Sequence, residues 1–164
     1  MRRVLVYAGV LVVAALIQAA WLARVQILGA ILDPLLPLAI GVGILRGAES
    51  GAVAGLTAGL LQDLLGGGPL GVHGLSKLVV GFASGLFERS IYLENPLLPA
   101  IATFIGTLLG EALLVIIGAV TGLGEAAWPD TISRMLAQAI LNSAVAPLLF
   151  RGVRTIEARL ERPH

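Results

Sequence analysis

Long uninterrupted apolar segments are the feature that most constrains how this chain can fold. Hydrophobic residues make up 57% of its 164 residues and charged residues 13%. A water-soluble domain of this length needs more polar surface than such a composition provides. The segments are about 20 residues long, which suits α-helices that cross a ~30 Å hydrocarbon core. The sequence therefore predicts an all-α, polytopic integral membrane protein.

Composition also excludes several classes of function. The formal net charge of +1 gives no reason to expect nucleic acid as a partner. The chain has no cysteine, which excludes disulfides and thiolate metal sites, and its two histidines are too few for a histidine metal cluster. It also lacks a GxSG serine motif and an HExxH pair. We therefore predict no catalytic residues, no metal and no cofactor.

The apolar pattern divides the chain into a six-span bundle at 1–150 and a basic cytoplasmic tail at 151–164. The second segment contains Asp33-Pro34, a helix-start pattern, so a short helix beginning at Pro34 and a re-entrant segment are alternatives there. Pro147 is expected to bend the sixth helix because it lacks a backbone N–H. The predicted spans lie at about 4–23, 27–45, 48–65, 70–87, 97–120 and 132–150.

The distribution of arginine predicts the orientation of the bundle. With six spans, both termini lie on the same side of the membrane, and that side collects eight of the eleven basic residues. Basic residues accumulate in cytoplasmic segments, so both termini are expected in the cytoplasm. The eight residues are Arg2, Arg3, Arg46, Arg89, Arg151, Arg154, Arg159 and Arg162.

Glycines recur at four-residue spacing in three of the predicted helices. This spacing places them on one helix face and allows a close approach of backbones within the membrane. They pack helices within the bundle or, in the alternative interpretation, form a face for another protein's helix. The glycines concerned are Gly51, Gly55, Gly59, Gly81, Gly85, Gly106 and Gly110.

Polar residues inside the predicted spans form a candidate cluster in the outer half of the membrane. Ionisable groups there are costly and normally face the bundle interior with a partner. Three hypotheses stay open: a structural network in which Asp63 or Glu111 neutralises Lys77, a pocket for a polar ligand or partner group, and a proton or ion path. The cluster consists of Asp63, His73, Lys77, Glu111, Arg134, Gln138 and Asn142.

The basic tail has two interpretations. Val153, Ile156 and Leu160 recur at helical spacing among arginines and glutamates. This pattern is typical of an interfacial helix that ends the last span. A docking helix for a cytoplasmic partner is the alternative.

The middle of the chain resembles the MreD family of rod shape-determining proteins. The similarity is densest over residues 33–90 and includes Asp33-Pro34-Leu35-Leu36-Pro37. Its most specific part is Gln62-Asp63-Leu64-Leu65-Gly66-Gly67, followed by Gly71 and His73. In the family pattern, the matching positions in this chain are Asp63, Gly67, Gly71 and His73.

The resemblance implies a non-enzymatic scaffold of the bacterial elongation machinery in the cytoplasmic membrane. Members of this family associate with the single-span protein MreC, and through it with the MreB filament, the RodA glycosyltransferase and a penicillin-binding transpeptidase. The implied role is regulation of peptidoglycan synthesis and cell shape, with membrane lipid as surroundings and a homo-oligomer as an open alternative. The implied fold is similar to S subunits of energy-coupling-factor transporters. An S-type subunit that binds a small solute is accordingly the alternative function.

Overall fold

A computed structural model describes residues 2–27, 29–87, 97–122 and 128–161. Within these residues the chain forms six α-helices, one 3₁₀ helix and one antiparallel hairpin. Arg89 and Arg162, which entered the predicted orientation, lie outside the described residues. The predicted all-α class is confirmed. The elements are α1 (Arg2–Ala20), the 3₁₀ helix (Leu22–Arg24), β1 (Gln26–Ile27), β2 (Ala30–Ile31), α2 (Leu35–Arg46), α3 (Ala48–Gly66), α4 (Val72–Gly85), α5 (Leu97–Thr121) and α6 (Trp128–Glu161).

Three of these helices are long and apolar enough to cross a membrane, namely α1, α5 and the Thr131–Glu161 part of α6. Large apolar side chains cover their outer surfaces; Val120, for example, is 82% exposed and Leu148 71%. Such a surface is unfavourable in water and ordinary in lipid. Helix α2 is also apolar, but its 12 residues extend only about 18 Å. The count of six spans stays a prediction.

Helix α2 lies in the centre of the bundle. Ten of its residues are buried, and it contacts α3, α4, α5 and α6. Ile40 and Ile44 pack with Val80 of α4 and Phe150 of α6. Because longer helices enclose it, this short helix does not need to match the full thickness of the membrane.

The predicted second span at 27–45 is corrected by the structure. Residues 26–27 and 30–31 pair as two antiparallel strands instead, with Gln26 paired to Ile31 and Ile27 to Ala30. The helix begins only at Leu35, directly after Pro34. A proline ring clashes with the carbonyl four residues before it, which disfavours a helix that runs from Ile27 through Pro34. Of the alternatives from the sequence, the short helix is the one observed.

The glycines of α3 and α4 let these two helices pack backbone to backbone. A Cβ atom at Gly55 would overlap the carbonyl group of Lys77, and one at Gly81 would overlap the carbonyl group of Gly51. No side chain separates the helices at these points. The glycines of this contact are Gly51, Gly55, Gly59, Gly81 and Gly85.

The glycines of α5 also face the inside of the bundle. A Cβ atom at Gly106 would meet the side chain of Ile40, and one at Gly110 would lie 3.4 Å from the Ser76 hydroxyl. That hydroxyl donates a hydrogen bond of 2.8 Å to the Gly110 carbonyl. The glycine faces of α3, α4 and α5 are therefore used within the chain. This packing removes the reason to assign them to another protein's helix.

The predicted tail at 151–164 is not a separate segment where the structure describes it. Helix α6 passes through Pro147 and continues to Glu161. Val153 is 1% exposed and belongs to the same buried apolar cluster as residues of α1, α2 and α3. The residues after the predicted end of the sixth span therefore belong to the bundle.

Glu157 joins this extension of α6 to the first two helices. Its carboxylate accepts a 2.6 Å hydrogen bond from the Tyr7 hydroxyl. It also forms ion pairs with Arg3 at 3.3 Å and Arg46 at 3.7 Å. The Arg3 side chain is 41% exposed, so its ion pair contributes less to stability than the part-buried hydrogen bond from Tyr7. The start of α1 and the end of α6 therefore lie at the same end of the bundle, which we call the Glu157 end.

We predict that Gly55→Ala destabilises the protein and that Gly9→Ala does not. The added methyl group at Gly55 would overlap the Lys77 backbone, whereas a Cβ atom at Gly9 meets nothing within 4 Å. Forcing an extra carbon into a packed contact costs about 1–3 kcal/mol. Thermal unfolding in detergent measures the difference between the two variants. Equal melting temperatures would contradict the backbone contact between α3 and α4.

Candidate functional site

A cavity of about 710 Å³ opens at the end of the bundle opposite Glu157. The last turns of α1, α3 and α5, the first turns of α4 and α6, and the hairpin segment line it. Asp63 and Asn142 bind residues of its wall. The other five residues of the predicted polar cluster line the cavity themselves: His73, Lys77, Glu111, Arg134 and Gln138.

The partner of Lys77 is Asp33, not Asp63 or Glu111 as predicted. The Lys77 ammonium group donates a hydrogen bond to one carboxylate oxygen of Asp33. Both side chains are buried, at 6% and 8% exposure. The other Asp33 oxygen accepts a 3.0 Å hydrogen bond from the backbone N–H of Leu35, at the start of α2. Asp33 therefore has the expected capping role and in addition neutralises the lysine.

Asp63 binds the start of α4. Its two oxygens accept hydrogen bonds from the backbone N–H groups of Gly71, His73 and Gly74, at 2.8, 3.2 and 3.3 Å. A further contact of 2.7 Å joins it to Nδ1 of His73. The first N–H groups of a helix have no partner within the helix, and the helix dipole favours a negative charge there. Gly71 has φ +95°, a conformation that glycine adopts without strain. Asp63 thus acts as a cap supplied by α3.

Two amide side chains of α6 hold the segment that carries Asp33. Gln138 accepts a 3.0 Å hydrogen bond from the backbone N–H of Ile31, and its own amide donates to the Ile31 carbonyl. Asn142 accepts a 2.9 Å hydrogen bond from the backbone N–H of Asp33 and donates to the Thr107 hydroxyl at 3.3 Å. The two amides therefore fix residues 31–33 against α6, as a neighbouring strand would.

Other polar groups of the cavity have no such partners. Oε1 of Gln18 and Oε1 of Gln62 are buried and receive no hydrogen bond in the described part of the chain. Neither of these two residues was in the predicted cluster. Within the same ranges, Glu111 and Arg134 form no ion pair. The cavity is therefore lined in part by polar groups that the fold itself does not use.

The described residues contain no group of three or more His, Cys, Asp or Glu that could hold a metal ion. The paired residues at the cavity wall instead act as supports. Lys77 with Asp33, Asp63 with His73, and the amides of α6 position helix ends and the hairpin. The unpaired groups face the space that these supports enclose.

Apolar helices around a partly unpaired polar cavity define a helical membrane protein with a candidate binding site. Comparison with protein-family models matches residues 3–155 to MreD, the rod shape-determining protein. The chain therefore belongs to the MreD family, and the resemblance found in the sequence is confirmed. Membership implies a role in determining cell shape. No curated protein and no solved structure matches the chain, and the similarity to transporter S subunits stays a prediction.

We predict that Lys77→Met strongly destabilises the protein. The substitution leaves the Asp33 carboxylate buried without its cation, and breaking a buried ion pair costs about 3–5 kcal/mol. Adding Asp33→Asn to Lys77→Met removes the unpaired charge and keeps an oxygen for the Leu35 N–H, so it recovers much of the loss. Thermal unfolding of the two single variants and the double variant measures this coupling. Additive losses would contradict the pairing.

Proposed function

We propose that the chain is a non-enzymatic scaffold that binds MreC in the bacterial cytoplasmic membrane. Through MreC it connects to the MreB filament, RodA and a penicillin-binding transpeptidase, and helps to regulate peptidoglycan synthesis. Membership of the MreD family supports this role. The observation that carries it is the cavity, which offers unpaired polar groups, whereas the glycine faces are buried within the bundle. MreC therefore binds at the cavity and not along the glycine faces.

The proposed topology has both termini in the cytoplasm and the cavity on the outer side. The contacts of Glu157 with Tyr7 and Arg3 support it, because they bring the two ends of the chain together. Arg46 lies at the same end of the bundle, as expected for a cytoplasmic surface rich in basic residues. The cavity lies at the opposite end, where α1 ends and α6 begins.

Reporter fusions test this topology. A fluorescent protein fused to either terminus is expected to fluoresce, because it folds in the cytoplasm. A cysteine introduced at Gly68, in the turn between α3 and α4, is expected to react with a membrane-impermeant maleimide added to intact spheroplasts. The chain has no cysteine of its own, so the label reports this position alone. Termini on opposite sides, or an unlabelled turn, would contradict the topology.

The alternative function is an S-type subunit that binds a small solute. The cavity volume of about 710 Å³ favours this alternative, since pockets for small molecules measure about 300–1,000 Å³. Purification separates the two functions. A scaffold retains MreC, whereas an S-type subunit retains a small molecule, which mass spectrometry detects, and binds an ATPase module.

We predict that Val115→Trp abolishes co-purification of MreC, while Val120→Trp leaves it unchanged. Both residues lie in α5, but Val115 lines the cavity, and Val120 is 82% exposed on the outer surface. The indole at residue 115 fills the space that the partner needs. Affinity purification of each variant with tagged MreC, together with its melting temperature, makes the comparison. Retention of MreC by a folded Val115→Trp variant would place the partner elsewhere.

A further inference from the structure

The unpaired groups in the depth of the cavity are hydrogen-bond acceptors. Gln18 is 8% exposed, and its Oε1 atom has no donor among the described residues. The same holds for Oε1 of Gln62, which approaches the cavity from α3. An acceptor that is buried without a hydrogen bond is unfavourable, and in a membrane no bulk water relieves it. An occupant that supplies donors removes this cost.

Glu111 adds a carboxyl group without an ion-pair partner in the described chain to these acceptors. It lines the cavity from α5, accepts no hydrogen bond in the described ranges, and has no cation within ion-pair distance there. The basic side chains that line the cavity with it do not pair with it: Lys77 binds Asp33, His73 contacts Asp63, and Arg134 has an exposed side chain. A half-buried carboxyl group without a partner in this position favours a cation that comes from outside the chain.

We infer that the cavity receives a cationic, donor-rich side chain, a guanidinium or ammonium group, from the segment of MreC that binds there. The Glu111 carboxylate forms an ion pair with this cationic group. The amide oxygens of Gln18 and Gln62 accept hydrogen bonds from its remaining N–H groups. This inference rests on the proposed function and specifies which chemical group the partner must present. Charge-assisted hydrogen bonds of this kind are the strong ones in a buried site, so they make Glu111 a determinant of affinity.

The first test exchanges the carboxyl group of Glu111 for a neutral amide of nearly the same shape. Glu111→Gln is expected to weaken MreC binding by about tenfold or more, measured by microscale thermophoresis of the full chain in lipid nanodiscs. Glu49→Gln is the matched control, because Glu49 is exposed in the first turn of α3 at the Glu157 end, and it is expected to bind as the unchanged chain does. Equal affinities of the two variants would overturn the inference.

The second test compares an unpaired amide with a paired one. Gln18→Leu is expected to weaken MreC binding and to leave the melting temperature of the free chain unchanged or raised, because it removes an acceptor that has no partner. Gln138→Leu is expected to lower that melting temperature, because it breaks both hydrogen bonds to Ile31. A melting temperature lowered by Gln18→Leu with unchanged binding would give this glutamine a structural role and overturn its part in the site.

A labelling experiment separates failure of this inference from failure of the proposed function. A hydrophobic carbodiimide is expected to modify Glu111 in the free chain, and added MreC is expected to block the modification, as detected by peptide mass spectrometry. If the unchanged chain does not bind MreC at all, the proposed function fails. If MreC binds and Glu111 is modified at the same rate, the scaffold role stands and the inference fails. A retained small amine in place of MreC would also overturn it.

Discussion

The buried contact between Lys77 and Asp33 is the interaction on which the site depends. Neither charge is tolerable alone in an interior surrounded by lipid, so the position of each fixes the position of the other. Asp33 also caps α2, and its backbone N–H donates a hydrogen bond to the side chain of Asn142 in α6. One carboxylate thus connects the central helix with α4 and α6. The wall of the cavity takes its shape from this connection.

The second constraint is the close packing of α3 on α4. Glycines allow the two backbones to touch, with Gly55 against the carbonyl of Lys77. This proximity places Asp63 of α3 within hydrogen-bond distance of the first N–H groups of α4. The small residues therefore have a consequence beyond packing, because they let one helix cap another across the bundle. The same packing of α3 on α4 positions Lys77 within hydrogen-bond distance of Asp33.

The sequence predicted those features whose cause is local. Apolar length predicted the helices and glycine spacing their close packing, while Asp33-Pro34 gave the observed start of α2 only as an alternative to the predicted span at 27–45. The partner of Lys77 could not be found this way, because Asp33 lies 44 residues away and already had a sufficient role as a cap. The hairpin before it was missed for a related reason. Its two-residue strands are too short to show a pattern, and they are stabilised by Gln138, 107 residues further along the chain.

The two ends of the bundle differ in what their polar groups accomplish. At the Glu157 end, the Glu157 carboxylate contacts Tyr7, Arg3 and Arg46. These contacts hold the end of α6 against the start of α1. At the cavity end, Oε1 of Gln18 and Oε1 of Gln62 are buried without a hydrogen bond in the described chain, and the half-buried Glu111 has no ion-pair partner there. Folding does not require these polar groups, because apolar side chains of similar size in the same positions would lower the stability less. Polar groups without partners in the wall of a cavity are best explained by an occupant that completes them.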